Sequence, residues 1–150
     1  MNEIPKPSVI LMAEDDADDR LLVKDALNEC QCDADLQFVE NGEELLDYLL
    51  KRGKYAASKT TRQPGLIILD LNMPRKDGRE ALREIKTHPE LRSIPVVVLT
   101  TSRADTDIDG IYQLGANSFI SKPVRFEELV NLMRLLAQYW LNTVALPAPR

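Results

Sequence analysis

The sequence predicts an α/β domain built on one five-stranded parallel sheet, and two patterns carry that expectation. Three short apolar runs, Val9–Ala13, Leu66–Leu69 and Val96–Leu99, are rich in β-branched residues and bounded by polar ones. Such runs suit strands buried on both faces. Between the strand candidates lie stretches whose apolar residues recur at helical spacing, so strand and helix alternate five times. That alternation implies parallel strands joined by right-handed crossovers. A length of 150 residues suits a single domain, which at this size buries about 70% of the surface its unfolded chain exposes.

Each element has its own signal. The first strand runs into Glu14-Asp15-Asp16, and the helix after it carries Leu22, Val23, Ala26, Leu27 and Cys30 on one face. Leu36–Val39 mixes polar with apolar residues, as a strand at a sheet edge does. Asn41, with Glu44 three positions later, forms a capping-box pattern ahead of Leu45, Leu46, Leu49 and Leu50. Arg52–Pro64 is polar and basic, and reads as a long solvated loop. The third strand ends in Asp70, and Asp77 with Glu80 repeats the capping pattern before Ala81, Leu82 and Ile85. The fourth ends in Thr100-Thr101-Ser102. Ser102 or Asp105 then opens a helix carrying Ile108, Ile111 and Leu114, closed by Gly115. Ser118–Ser121 is the second edge strand, and a fifth helix spans about Arg125 to Leu141, although Arg125 caps poorly.

Composition narrows the function classes. Nineteen Lys and Arg against twenty-four Asp and Glu give a net charge of −5, which argues against nucleic acid as the main partner. At 44% hydrophobic residues the chain is not a disordered one. Its longest apolar runs, of four to five residues, fall far short of the roughly twenty that a membrane span needs. Residues 1–8 lack the layout of a secretory signal. Cys30 and Cys32 lie too close together for a disulfide framework, and without further Cys or a suitable His they make no zinc site. His88, before Pro89, reads as exposed. The picture is a soluble cytoplasmic protein of a single domain, 1–150, with its core at about 8–142. A short, loose C-terminal extension follows, with no room for an effector domain.

In an open parallel sheet, chemistry collects beyond the carboxyl ends of the strands. Here those ends carry Glu14-Asp15-Asp16, Asp70 with Leu71-Asn72-Met73-Pro74, Thr100-Thr101-Ser102, and Ser121-Lys122-Pro123. Taken singly each has a plain reading: a helix cap, a turn former, a surface charge. Convergence on one sheet edge changes the reading. Two carboxylates about 4 Å apart repel by roughly 4 kcal/mol at an effective dielectric of 20. A cluster of that kind calls for a cation, and an all-oxygen donor set selects a hard one, Mg²⁺ before zinc or copper.

These residues resemble the receiver domain of two-component response regulators, over about Val9 to Leu141. The resemblance lies in the acidic pair after the first strand, Asp-Leu-Asn-Met-Pro after the third, Thr after the fourth and Lys-Pro after the fifth. The stretches AEDDADDRLLVKDAL, FVENGEELLDYL, LDLNMPRKDGREALREIK and PVVVLTTS, with Tyr139-Trp140, look like the single-domain subgroup that serves phytochrome-type histidine kinases. The resemblance implies a doubly wound (βα)5, flavodoxin-like, three-layer sandwich with strand order 2-1-3-4-5. It implies that Asp70 accepts a phosphoryl group from a sensor histidine kinase. Glu14, Asp15, Asp70 and the backbone carbonyl of Asn72 would hold Mg²⁺, for which Mn²⁺ could substitute. Lys122, directed by a cis bond to Pro123, would pair with Asp70 and then with the phosphoryl group. Thr100 would meet a phosphoryl oxygen, and Phe119 would respond to its movement. Asp16, Asp18 and Asp19 read as first-turn helix charges.

The fifth helix offers a separate clue. Leu129, Val130, Met133, Leu136, Ala137 and Trp140 fill one face, leaving Leu132, Leu135, Tyr139 and Leu146 beyond it. A second buried contact follows, read as a two-fold homodimer through Leu132, Leu135, Tyr139 and Trp140. Output then runs through phosphorylation-dependent contacts with another protein, or the domain serves as a relay intermediate or phosphate sink. An aspartyl phosphohydrolase is the distant alternative: it wants a second acid two positions after the nucleophile, where this chain has Asn72. A flavin binder is disfavoured because Glu14-Asp15-Asp16 would repel its phosphate.

Overall fold

The computed structural model describes residues 7–58, 61–101 and 105–147. Five parallel strands form one open sheet: β1 (Val9–Ala13), β2 (Asp35–Val39), β3 (Leu66–Leu69), β4 (Val96–Thr100) and β5 (Ser118–Ser121). Their order is β2-β1-β3-β4-β5. The helices are α1 (Ala17–Glu29), α2 (Gly42–Leu50), α3 (Gly78–Thr87), α4 (Asp105–Gln113) and α5 (Phe126–Ala137). Every residue of β1, β3 and β4 is buried, whereas β5 is half-buried throughout and β2 fully buries only Val39. The continuous apolar runs thus form the centre of the sheet and the mixed ones its edges.

Strand alternation divides the core in two. Leu11, Ala13, Ile67, Leu69, Val96 and Val98 face α2, α3 and α4, packing with Leu45, Leu82, Ile85 and Ile111. Ile10, Met12, Leu66, Ile68, Val97 and Leu99 face α1 and α5, packing with Val23, Leu27, Val130 and Met133. Two helical layers on one sheet give the three-layer sandwich.

The caps follow the sequence signals. The Asn41 side chain accepts from the Glu44 N–H at 2.8 Å, and the Glu44 carboxylate accepts from the Glu40 N–H at 2.7 Å. Asp77 accepts from the Glu80 N–H at 3.0 Å, and Asp16 from the N–H groups of Asp18 and Asp19. Arg125 makes no side-chain cap. Gly115 closes α4 with φ of 106°, a backbone conformation that suits glycine.

Several local expectations are corrected. Helix α5 does not continue regularly to Leu141; after Ala137 it widens into a π-helical turn, Gln138–Thr143, where the Thr143 hydroxyl donates to the Gln138 carbonyl at 2.7 Å. The basic loop is largely solvated between Arg52 and Ala57, as expected, but it is tied to the domain at Tyr55 and Arg62. Tyr55 donates to Glu44 at 2.9 Å, Tyr48 donates to the Arg62 carbonyl at 3.2 Å, and Arg62 pairs with Asp35 at 3.0 Å. Half-buried hydroxyls and charges bring that segment in. Cys30 and Cys32 lie side by side, because the left-handed turn at Gln31 (φ 55°) brings their Cα atoms to 5.4 Å, a separation that a disulfide can span. Ser102, offered as a helix start, lies outside the described residues.

Gly78 opens α3 where the chain leaves β3. Its N–H donates to the Leu71 carbonyl at 3.0 Å, and a Cβ there would collide with the backbone of Asp70 and Leu71. Gly78→Ala should therefore destabilise the domain by about 2 kcal/mol or more. In urea unfolding this would read as a lower midpoint with an unchanged slope.

Candidate functional site

The sheet ladder continues one residue past three strands, and those residues define the site. The Glu14 N–H donates to the Val39 carbonyl at 2.9 Å, the Asp70 N–H to Ala13 at 3.1 Å, and the Lys122 N–H to Thr100 at 2.9 Å. Each side chain is therefore anchored to a neighbouring strand, not carried on a free loop. Glu14 and Asp70 are buried at 1% and 5% exposure, while Asp15 is exposed at the lip. Oxygen atoms of Glu14, Asp15 and Asp70 all lie within 4.8 Å of one another.

One ammonium sits among these carboxylates. Lys122 Nζ donates to Glu14 Oε1 at 2.5 Å, to Asp19 Oδ2 at 3.2 Å and to Asp70 Oδ2 at 3.3 Å. Burial alone would lower the pKa of Lys122, but its bonds and proximity to Glu14, Asp70 and Asp19 outweigh that and raise it. Burial, reinforced by the Asp70 charge, pushes the Glu14 carboxyl up to about 7 even with Lys122 donating to it. The Asn72 N–H donates to Asp70 Oδ1 at 3.2 Å, which orients the other carboxylate oxygen toward Lys122. Arg20 donates to the Glu14 backbone carbonyl at 2.8 Å and reaches Glu40 at 3.5 Å. Thr100 is completely buried, and its hydroxyl has no hydrogen-bond partner among the described residues.

Glu14, Asp15, Asp70 and Lys122 thus meet, as their positions at strand ends predict. Phe119 is half-buried against the core on the α2–α4 side, and its N–H donates to the Tyr112 hydroxyl at 3.1 Å. Two expectations change. The Lys122–Pro123 bond is trans, as are all peptide bonds among the described residues; trans is the intrinsically favoured isomer, and the ladder bond to Thr100 holds Lys122 in place. Asp19 is more than a helix charge, because it bonds Lys122. It lies on the first turn of α1, beside the Asp16 cap, where an acidic residue already has a sufficient reason to stand, so the sequence gives no signal of this second role. Of the apolar residues on α5 and its extension, Leu135 and Tyr139 are 61% and 49% exposed, while Leu132 and Trp140 pack partly against the domain's own core.

The donor set fits a hard divalent cation: three carboxylates converge, and no thiolate or imidazole is among them. Comparison with known proteins agrees with that chemistry. Residues 10–134 match the response regulator receiver domain, and the chain belongs to that family. Response regulator Rcp1 of Synechocystis sp. is 40% identical over 147 residues, covering 98% of each chain. The crystal structure of the Mn²⁺-bound form of Rcp1 superposes with a TM-score of 0.84 at 41% identity, covering 95% of this chain and 100% of that one. The phosphorylated cyanobacterial phytochrome response regulator RcpA superposes at 0.86 with 39% identity, over 95% of this chain and 99% of its own. The chain is a receiver-domain response regulator related to regulators of phytochrome systems.

The buried acid has a consequence for stability. The folded state raises the Glu14 pKa above its unfolded value near 4.5, so it binds this proton more tightly than the unfolded chain does. The resulting stabilisation is present below pH about 4.5 and is lost as pH rises through about 7. Without divalent cations, urea unfolding should show a decline between about pH 5 and pH 8. Glu14→Gln should shrink that decline by roughly 2 kcal/mol.

Proposed function

We propose that this chain is a cytoplasmic response regulator whose Asp70 accepts a phosphoryl group from the phosphohistidine of a sensor histidine kinase in a Mg²⁺-dependent reaction. One observation carries the reading: the buried Asp70 carboxylate belongs to a cation-fitting acidic cluster and is also bonded by the Lys122 ammonium. A carboxylate approaches an anionic phosphoryl group only where positive charge offsets the repulsion. Glu14, Asp15, Asp70 and the Asn72 carbonyl would hold Mg²⁺, which supplies that charge at the phosphoryl oxygens. An Asp70 oxygen bonds to phosphorus as the phosphorus–nitrogen bond of the donor breaks, and the leaving imidazole takes up a proton. Lys122 pairs with one phosphoryl oxygen, and the Thr100 hydroxyl, buried without a partner among the described residues, donates to another.

The kinase partner we propose is of the phytochrome type, supported by the kinship with RcpA. Inward movement of Thr100 opens space for Phe119 and alters the surface formed by α4, β5 and α5. Signalling then proceeds through protein contacts at that surface. We further propose a two-fold homodimer through α5 and its extension. Leu135 and Tyr139 are its exposed apolar anchors, with Leu132 and Trp140 bordering them.

Two experiments test these readings. With acetyl phosphate and Mg²⁺, intact-mass measurement should show one added phosphoryl group, absent in Asp70→Asn and on chelation of the cation; labelling that survives Asp70→Asn would refute the assignment. In sedimentation at tens of micromolar, the unaltered chain should run as a dimer and Leu135→Lys as a monomer.

A further inference from the structure

The three partners of the Lys122 ammonium are not equivalent. Glu14 and Asp70 also belong to the group of carboxylates close enough to share a cation, whereas Asp19 bonds the lysine and stands outside that group. Asp19 is held on the first turn of α1, where its N–H donates to Asp16 Oδ1 at 3.0 Å. Its side chain is 41% exposed, against 1% for Glu14 and 6% for Asp70. The partner outside the cation-binding group is thus also the one best able to stay solvated.

A divalent cation entering the cluster meets a competitor already seated there. It needs the oxygens that Lys122 now holds, and like charges about 4 Å apart repel by some 4 kcal/mol per unit pair at an effective dielectric of 20. The ammonium has to give up Glu14 and Asp70, and leaving it without a carboxylate in a half-buried site is unfavourable. From this geometry we infer that Asp19 is a positioning residue: it receives the Lys122 ammonium when a cation occupies Glu14, Asp15 and Asp70. The lysine then stays at the rim of the site, within reach of a group arriving at Asp70. This inference rests on the cation-site reading given under Proposed function.

The role predicts a coupling between Asp19 and Lys122 that simple loss of a negative charge does not produce. Binding of Mn²⁺ to the full-length, cation-free chain is measured from the electron paramagnetic resonance signal of the free ion, with circular dichroism checking the fold of each variant. Asp19→Asn should weaken Mn²⁺ binding about fivefold when Lys122 is present and less than about twofold in a Lys122→Met background. Asp19→Glu should retain most of the affinity. Equal losses in both backgrounds, or no loss in either, would overturn the inference while leaving the cation site intact. Failure of the unaltered chain to take up Mn²⁺ would overturn the site reading itself. If Lys122→Met does not fold, Asp18→Asn decides: this residue is exposed in the same helical turn, and a loss matching that of Asp19→Asn would reduce the effect to charge alone.

Discussion

Glu14, Asp15 and Asp70 meet at the carboxyl edge of the sheet with one ammonium among them, and this unequal charge balance governs the site. Loss of solvation on burial, with the Asp70 charge adding to it, raises the pKa of Glu14. The bonds and charges of the carboxylates outweigh the burial of Lys122 and keep it charged. A site in this condition responds to positive charge from outside, because any cation it admits relieves an existing stress. The arrangement makes the resting state of the domain sensitive to what it binds.

The scaffold sustains that stress through backbone bonds. Glu14, Asp70 and Lys122 each follow a strand directly and are tied to the neighbouring strand by their own N–H groups. Moving one of these residues apart from the others would break a ladder bond as well as relieve repulsion. The close approach of Gly78 to the Asp70 backbone adds a second restraint, since α3 begins directly against that segment. The positions of the charges are thus fixed by the fold and not by their mutual preferences.

Much of this was legible in the amino-acid order. Runs such as Leu66–Leu69 can be buried on both faces only in the middle of a sheet, and polar residues directly after them have to fall on one edge. Asn41 and Asp77 announce their helices because their side chains satisfy N–H groups that a helix leaves open. Legibility fails where a residue has a sufficient local explanation. Asp19 fits a helix first turn on dipole grounds alone, so its bond to a lysine more than a hundred positions away is invisible in the pattern. The turn at Gln31 that sets the two cysteines side by side, and the widening of the chain after Ala137, depend on backbone angles that residue types do not dictate. The ties between the basic loop and α2 depend on Tyr55 and Tyr48 finding distant acceptors.

The placement of the first and last helices on the same face of the sheet matters for how the chain reaches this state. Val23 and Leu27 on α1 share a hydrophobic cluster with Val130 and Met133 on α5, over a floor formed by Ile10, Met12 and Ile68. In chain order α5 follows all five strands, so it leaves the ribosome after them. The opposite layer, whose helices lie between the strands in sequence, can close earlier. One half of the hydrophobic interior therefore waits, lidded by α1 alone, for the final helix to arrive, and that interval is when nascent chains of this protein are most open to capture by chaperones or by one another.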